Sequence, residues 1–186
     1  MQYIPEAMVY MAVAYERLGK CEKAEGELKG ALTRYPGYAP VWENLGELLE
    51  KLKGPGMLMS TIDAMLHTNP SNAAVLNAAC RIRATKGEQL DAALADCDEA
   101  LRLKPGDADA LDSRALARFR KGNFADAITD ANSALAANPK LAGSLYLRGL
   151  AKLKSGDAPG GNADVTAAQA IDPKTAAAYA AYGVTP

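Results

Sequence analysis

The chain has 186 residues with 21 Lys and Arg against 22 Asp and Glu, a balance that gives no broad attraction to nucleic-acid phosphates. No apolar run approaches the roughly 18 residues of a membrane-spanning helix, so neither nucleic acid nor a bilayer core is an expected partner. The opening MQYIPEAMVYMAVAY has no basic start, and Pro5 and Glu6 interrupt what would be a signal peptide's apolar core. The expectation is a cytoplasmic protein, or an excised segment of an exported one.

In chain order the sequence alternates apolar-periodic stretches with two kinds of break. ELKGALTRYP, IDAMLHTNP, CDEALRLKP, ANSALAANP and TAAQAIDP each end on proline, at 36, 70, 105, 139 and 173, with spacings of 34, 35, 34 and 34 residues. Proline lacks a backbone N–H and clashes with the preceding turn, so a helix must stop near each one. In CDEALRLKPGDADAL, Gly106 permits the bend and Asp107 can cap the following helix. Midway between the prolines lie glycine-containing breaks: RLGKCEKA, KLKGPGML, ATKGEQLDA, RKGNFADA and KSGDAPGG. Two breaks per period leave two helices of about 12–14 residues, and a fixed period of this size is the signature of a solenoid.

The pattern resembles the tetratricopeptide repeat, an antiparallel helix pair of 34 residues. The resemblance covers nearly the whole chain, with repeats at 5–38, 39–72, 73–107, 108–141 and 142–175 and a capping helix in 176–186. The family's large residue at the fourth position is matched by Met8, Trp42, Leu76, Leu111 and Leu145. Its small residue at the eighth is matched by Ala12, Gly46, Cys80, Ala115 and Gly149. On the second helices, Ala24, Ala93, Ala127 and Gly161 match one small position, and Ala31, Ala100, Ala134 and Ala168 a later one. Helices that cross at close range leave no room for larger groups there. The implied fold is all-α: a right-handed α-solenoid of five helix pairs plus the cap.

Three departures carry expectations. Leu58 and Met65 stand where repeat 2 should be small, which predicts a more open helix pair. Repeat 3 has one extra residue between Gly87 and Ala93. Pro159, Gly160 and Gly161 open the second helix of repeat 5, which should weaken it, since glycine costs about 1 kcal/mol against alanine in a helix interior.

Arg114, Arg118, Arg148 and Lys152 replace the apolar residues that repeats 1 and 2 carry at the equivalent positions. The second helices supply Asp96, Asp130 and Asp164. An interhelical ion-pair series is expected, because arginine holds carboxylates through two parallel hydrogen bonds.

No catalytic constellation is present. Cys21, Cys80 and Cys97 form no CxxC pair and His67 is the only histidine, whereas a zinc site needs about four such ligands. The cysteines are expected to be reduced and buried, His67 to lie on the surface, and no metal or cofactor is expected. Asp107, Asp109 and Asp112 lack the glycine and closing glutamate of a calcium loop and read as an acidic helix start.

The resemblance implies a non-catalytic module whose first helices line a concave groove for a partner peptide or helix. Carried over by position, the groove residues include Tyr10, then Glu43, Asn44 and Glu47, then Asn77 and Arg81. Repeat 4 adds Asp112, Leu116 and Phe119, and repeat 5 adds Tyr146, Leu150 and Leu153. The acidic stretch of repeat 2 and an exposed apolar wall of Leu116, Phe119, Tyr146, Leu150 and Leu153 would suit a peptide with a basic end and large apolar anchors. The competing expectation for that wall is coverage by the capping segment. The carboxylate clamp of chaperone-binding members is mostly missing: Asn77 and Arg81 are followed by Ser113, then by Gly143 and Leu147. The partner is a protein or peptide, with the chain a monomer or weak homo-oligomer. The alternative is a self-associating scaffold.

Overall fold

A computed structural model describes residues 5–36, 38–54 and 56–186, and excludes the side chains of Ala39 and Glu43. Among the described residues there are eleven helices and no strand. They are α1 (Pro5–Arg17), α2 (Cys21–Arg34), α3 (Ala39–Lys53), α4 (Met57–Thr68), α5 (Ala73–Lys86), α6 (Leu90–Leu103), α7 (Ala108–Arg120), α8 (Phe124–Ala137), α9 (Ala142–Lys154), α10 (Ala158–Ile171) and α11 (Thr175–Ala181).

Every second helix from α2 to α10 ends two residues before one of the five periodic prolines. The residue between, Tyr35, Asn69, Lys104, Asn138 or Asp172, has φ of −135°, −135°, −134°, −141° and −140° in turn. A residue before proline is sterically driven out of the helical region, so the stop is local and the same each time. The Asp107 carboxylate caps α7, accepting from the Asp109 and Ala110 amides at 3.1 Å each. The extra residue of repeat 3 is absorbed at Gln89, whose φ of 49° is the only positive value at a described non-glycine residue. Its side-chain oxygen accepts from Arg83 Nε at 3.0 Å, tying down a strained turn.

The chain forms two compact units, Met1–Ala78 and Ala79–Pro186. In the first, Leu28, Leu32, Trp42, Leu45, Leu49 and Ile62 are buried among α1 to α4. The Trp42 indole donates to the Pro36 carbonyl at 2.7 Å, so its ring fills the core with its one polar atom satisfied. Leu58 is buried against Gly46: a Cβ on that glycine would meet Leu58 Cδ2 at 2.9 Å. A large residue on α4 is thus received by an absent one on α3. Met65 instead lines an open cavity of about 470 Å³ between α2, α4 and the start of α5, away from the α3–α4 contact where the opening is expected. Pro55, in the turn between α3 and α4, lies outside the described residues.

The second unit has a core of small residues. Ala93, Ala115, Ala127, Ala131 and Ala168 are fully buried alongside Leu116, Leu147 and Leu150. At the α9–α10 contact the backbones themselves touch. A Cβ on Gly149 would lie 2.8 Å from the Gly161 carbonyl oxygen, and one on Gly161 would lie 2.8 Å from that of Gly149. Gly161 is therefore required by the packing despite its poor helix propensity. α10 starts at Ala158 with the Asp157 carboxylate accepting from the Gly160 amide at 3.0 Å.

The expectation of reduced cysteines is corrected. Cys80 of α5 and Cys97 of α6 form a disulfide, with S–S 2.05 Å and Cα–Cα 5.5 Å, and neither is exposed. Cys80 occupies the small-residue position where paired helices touch, and this contact brings the two Cα atoms within bridging range. Cys21 is free and half-buried, and His67 is exposed as expected.

The two glycine contacts predict different mutational costs. Gly149→Ala forces a methyl group into backbone and should destabilise the second unit by about 1–3 kcal/mol. Gly46→Ala meets only the flexible end of Leu58, and its gain in helix propensity of about 1 kcal/mol offsets the contact. Urea unfolding of both variants measures this, and equal losses would contradict the packing described.

Candidate functional site

In the first unit, the face of α1 and α3 carries Tyr10, 74% exposed, and an exposed Glu47. Asn44 is half-buried and donates one amide N–H to the Pro40 carbonyl at 2.8 Å, within its own helix. The side chain of Glu43 lies outside the described residues. Lys51 of α3 pairs with Glu16 of α1 at 2.8 Å. Glu25 of α2 receives both Lys29 and Lys53, at 2.6 and 2.7 Å, and these bonds hold its carboxyl below the ordinary range. Asn77 is half-buried, and its carbonyl oxygen is buried with no hydrogen-bond partner among the described residues.

The corresponding face of the second unit is occupied. Asp112 of α7 is buried and takes an ion pair from Arg81 and a hydrogen bond from the Ser144 hydroxyl at 2.5 Å. Burial works to lower the pKa of Arg81, but Asp112 outweighs it and the guanidinium is held charged. The exposed apolar wall expected from the sequence is corrected: Leu116 and Leu150 have no exposure, Tyr146 4% and Phe119 9%. Leu153 is half-buried and turns toward α10, where a Cβ on Gly161 would fall 2.7 Å from its Cγ.

The cover is the chain's own residues 175–186. The Tyr179 ring of α11 packs against Tyr146 at 5.2 Å with the planes tilted by 49°, and Val184 belongs to the same buried cluster as Leu116 and Leu150. Arg120 of α7 donates through one nitrogen to the Thr85 carbonyl at 2.7 Å and to the Tyr182 carbonyl. Burial lowers the pKa of Arg120, and its Nε has no hydrogen-bond partner among the described residues. The Tyr179 phenol is pushed upward by burial and by Asp112, while nearby Arg81 offsets part of this without a well-formed hydrogen bond to the hydroxyl. The sequence marks these anchors only as the large residues in the alanine- and glycine-rich AAAYAAYGVTP.

A second array of charge runs between the paired helices. Arg114 grips Asp130 through two bonds of 2.9 and 2.7 Å and reaches back to Asp98 at 2.7 Å. Arg148 repeats this with Asp164 at 2.7 and 2.6 Å and with Asn132 at 2.8 Å. In both sets the partners lie 16 residues before and after the arginine, so the geometry recurs with the repeat. Arg118 joins Asp130 and Lys152 joins Asp164, each at 2.8 Å. Asp96 pairs with Arg83, which stands at the repeat position of Arg118 and Lys152. The hydrogen bonds that Arg114 and Arg148 donate to Asp130 and Asp164 raise both guanidinium pKa values. The arrangement locks helices together. Among the described residues no cluster of three His, Cys, Asp or Glu could hold a metal.

Profiles of the tetratricopeptide repeat match residues 5–48, 82–142 and 113–174. The chain belongs to the tetratricopeptide repeat family. Among solved structures it is similar to PilW, described as a widely conserved type IV pilus biogenesis factor, at 17% identity and TM-score 0.66 over 98% of this chain and 91% of that one. It is similar to TTC0263, a thermophilic TPR protein of Thermus thermophilus, at 17% identity and TM-score 0.64 over 97% of each. It also resembles YrrB, described as a TPR protein with an unusual peptide-binding site, at 16% identity and TM-score 0.60 over 95% and 91%. At these identities the likeness shows the fold alone. No curated protein matches the chain.

The ladder predicts a pH-dependent stability. Burial pushes the Asp164 carboxyl up, but Arg148 and Lys152 outweigh it and the pKa is lowered. The stabilisation is therefore complete above the unfolded value of about 4 and is lost as pH falls through the folded value. Asp164→Asn should cost about 3 kcal/mol at neutral pH, and the gap from wild type should close in strong acid. Asp98, 61% exposed, should cost only about 0–1 kcal/mol when changed to Asn. Denaturant titrations across pH test both, and a gap for Asp164→Asn that persists below the folded pKa would contradict the assignment.

Proposed function

We propose that this chain is a non-catalytic interaction module that takes a partner peptide or helix along the first helices of its repeats, without a cofactor. The observation that supports the reading is Tyr10, a large aromatic side chain 74% exposed on the first helix of the first unit. It stands where the family presents its groove, and isolated aromatic anchors of this kind dominate binding energies. Exposed Glu47 lies on the neighbouring first helix, α3. A partner with a basic end and a large apolar anchor complements both. YrrB, a structural neighbour, is described as having a peptide-binding site, which is consistent with this use of the fold.

No described helix is long and apolar enough to cross a membrane. The Cys80–Cys97 bond favours an oxidising compartment over the cytoplasm, where buried structural disulfides are rare.

The test begins with a partner captured on the intact chain and identified by mass spectrometry. Tyr10→Ala should then weaken its binding by about 1–3 kcal/mol. Glu47→Lys should mainly slow association and change its salt dependence. Unchanged affinity and rates in both variants would exclude this face as the site. The alternative, a self-associating scaffold, predicts a mass that rises with concentration in light scattering of the chain alone.

A further inference from the structure

Residues 175–186 are anchored at separate points and not along their length. Their buried side chains are Thr175, Tyr179 and Val184, at 4%, 3% and 1% exposure, with Ala176 and Tyr182 half-buried. The intervening residues, chiefly alanines, are exposed. α11 has only seven residues and no side-chain cap, far below the length at which a helix is stable by itself. Its anchors, and not its own helicity, keep it in place.

Those anchors cross three successive first helices of the second unit. Tyr179 meets Tyr146 and Gly143 on α9 and comes close to Asp112 on α7. The Tyr182 carbonyl accepts from Arg120 of α7, whose nitrogen also reaches the Thr85 carbonyl of α5. Val184 completes the apolar cluster. A segment that lays two aromatic rings and an aliphatic side chain into a face, and offers its backbone carbonyl to an arginine, binds as a peptide ligand does. The fit is imperfect: among the described residues, Arg120 Nε and the Tyr179 hydroxyl are buried without a well-formed hydrogen bond, and such groups are costly to leave unsatisfied. A tether offsets this cost, since a covalently attached segment acts at an effective concentration of about millimolar.

We propose that the first-helix face of the second unit is a peptide groove and that residues 175–186 are its displaceable resident. The partner carries two aromatic residues one helical turn apart, an aliphatic residue shortly after, and an acceptor for Arg120 Nε that the resident does not supply. The inference rests on the reading of the chain as an interaction module, and it adds a second groove and the chemistry of its ligand. The resident competes with the partner, so apparent affinity falls by the fraction of chains that are open.

The test uses the full chain and, as probe, a fluorescein-labelled synthetic peptide TAAAYAAYGVTP titrated by anisotropy. Val184→Asp in the chain removes one anchor of the resident and should tighten probe binding by about tenfold or more over wild type. A probe carrying Tyr179→Ala should fail to bind either chain. Equal binding by wild type and Val184→Asp, with helix content intact by circular dichroism, would overturn the proposal. Should Val184→Asp not fold, hydrogen exchange on the wild type decides. Amides of Tyr179 to Val184 opening well before those of α9 support a displaceable segment, and exchange together with α9 overturns it. Exchange of the segment between two chains, seen as a dimer in light scattering, would overturn the partner assignment in favour of a second copy. Because Tyr10 and Glu47 lie in the first unit, an unchanged probe titration alongside lost partner binding, or the reverse, separates this inference from the proposed function.

Discussion

The close approach of paired helices at their small residues is the contact on which the rest of the second unit depends. At Gly149 and Gly161 it brings backbone against backbone, with no room for a methyl group. Elsewhere alanines take the same role, and Ala115, Ala127 and Ala168 have no exposure. Dispersion from such small side chains is modest atom by atom, but close packing multiplies the contacts. The short interhelical distance also lets an arginine on one helix grip an aspartate on the next without extending into solvent. Arg114 and Arg148 have side-chain exposures of only 19% and 20%. The ladder is thus a consequence of the packing, and it specifies which helix pairs with which.

The elements were legible because their signals are local. A proline with an extended residue before it ends a helix whatever surrounds it, and five such stops at a near-constant interval define the helix pairs. The bonds of Arg114 to Asp130 and of Arg148 to Asp164 were also legible, since residue type and repeat position together place both partners. Asp96 joins the same interhelical series, but through Arg83. Arg83 stands at the repeat position of Arg118 and Lys152, which also reach their aspartates, while Ala79 takes the position of Arg114. The extra residue at Gln89 only lengthens the spacing from Arg83 to Asp96 to 13 residues.

The site was less legible, for a different reason. Phe119 is covered within its own repeat, by the edge-on Phe124 ring at 5.3 Å. Leu116, Tyr146 and Leu150 stand at positions that face the groove in a bare array, and nothing within their own repeats says that they are covered. Coverage depends on where residues 175–186 return, a tertiary contact made by two tyrosines and a valine in an otherwise featureless stretch. The disulfide is hidden in the same way: no short-range motif joins Cys80 to Cys97, and only the helix contact does. The two units therefore differ in what they present. The first shows an exposed aromatic residue and an acidic neighbour, and the second shows a face already filled.

The most direct measurement of the close helix contact is peptide mapping by mass spectrometry of protein purified without reductant. The expected result is a peptide cross-linked through Cys80 and Cys97, with Cys21 alone taking up an alkylating agent. Reduction should then lower stability by about 3 kcal/mol, the scale for a loop of this size, given the sequence separation of 17. Alkylation of Cys80 and Cys97 in the unreduced folded protein, or a bond from either to Cys21, would contradict the close approach of α5 to α6.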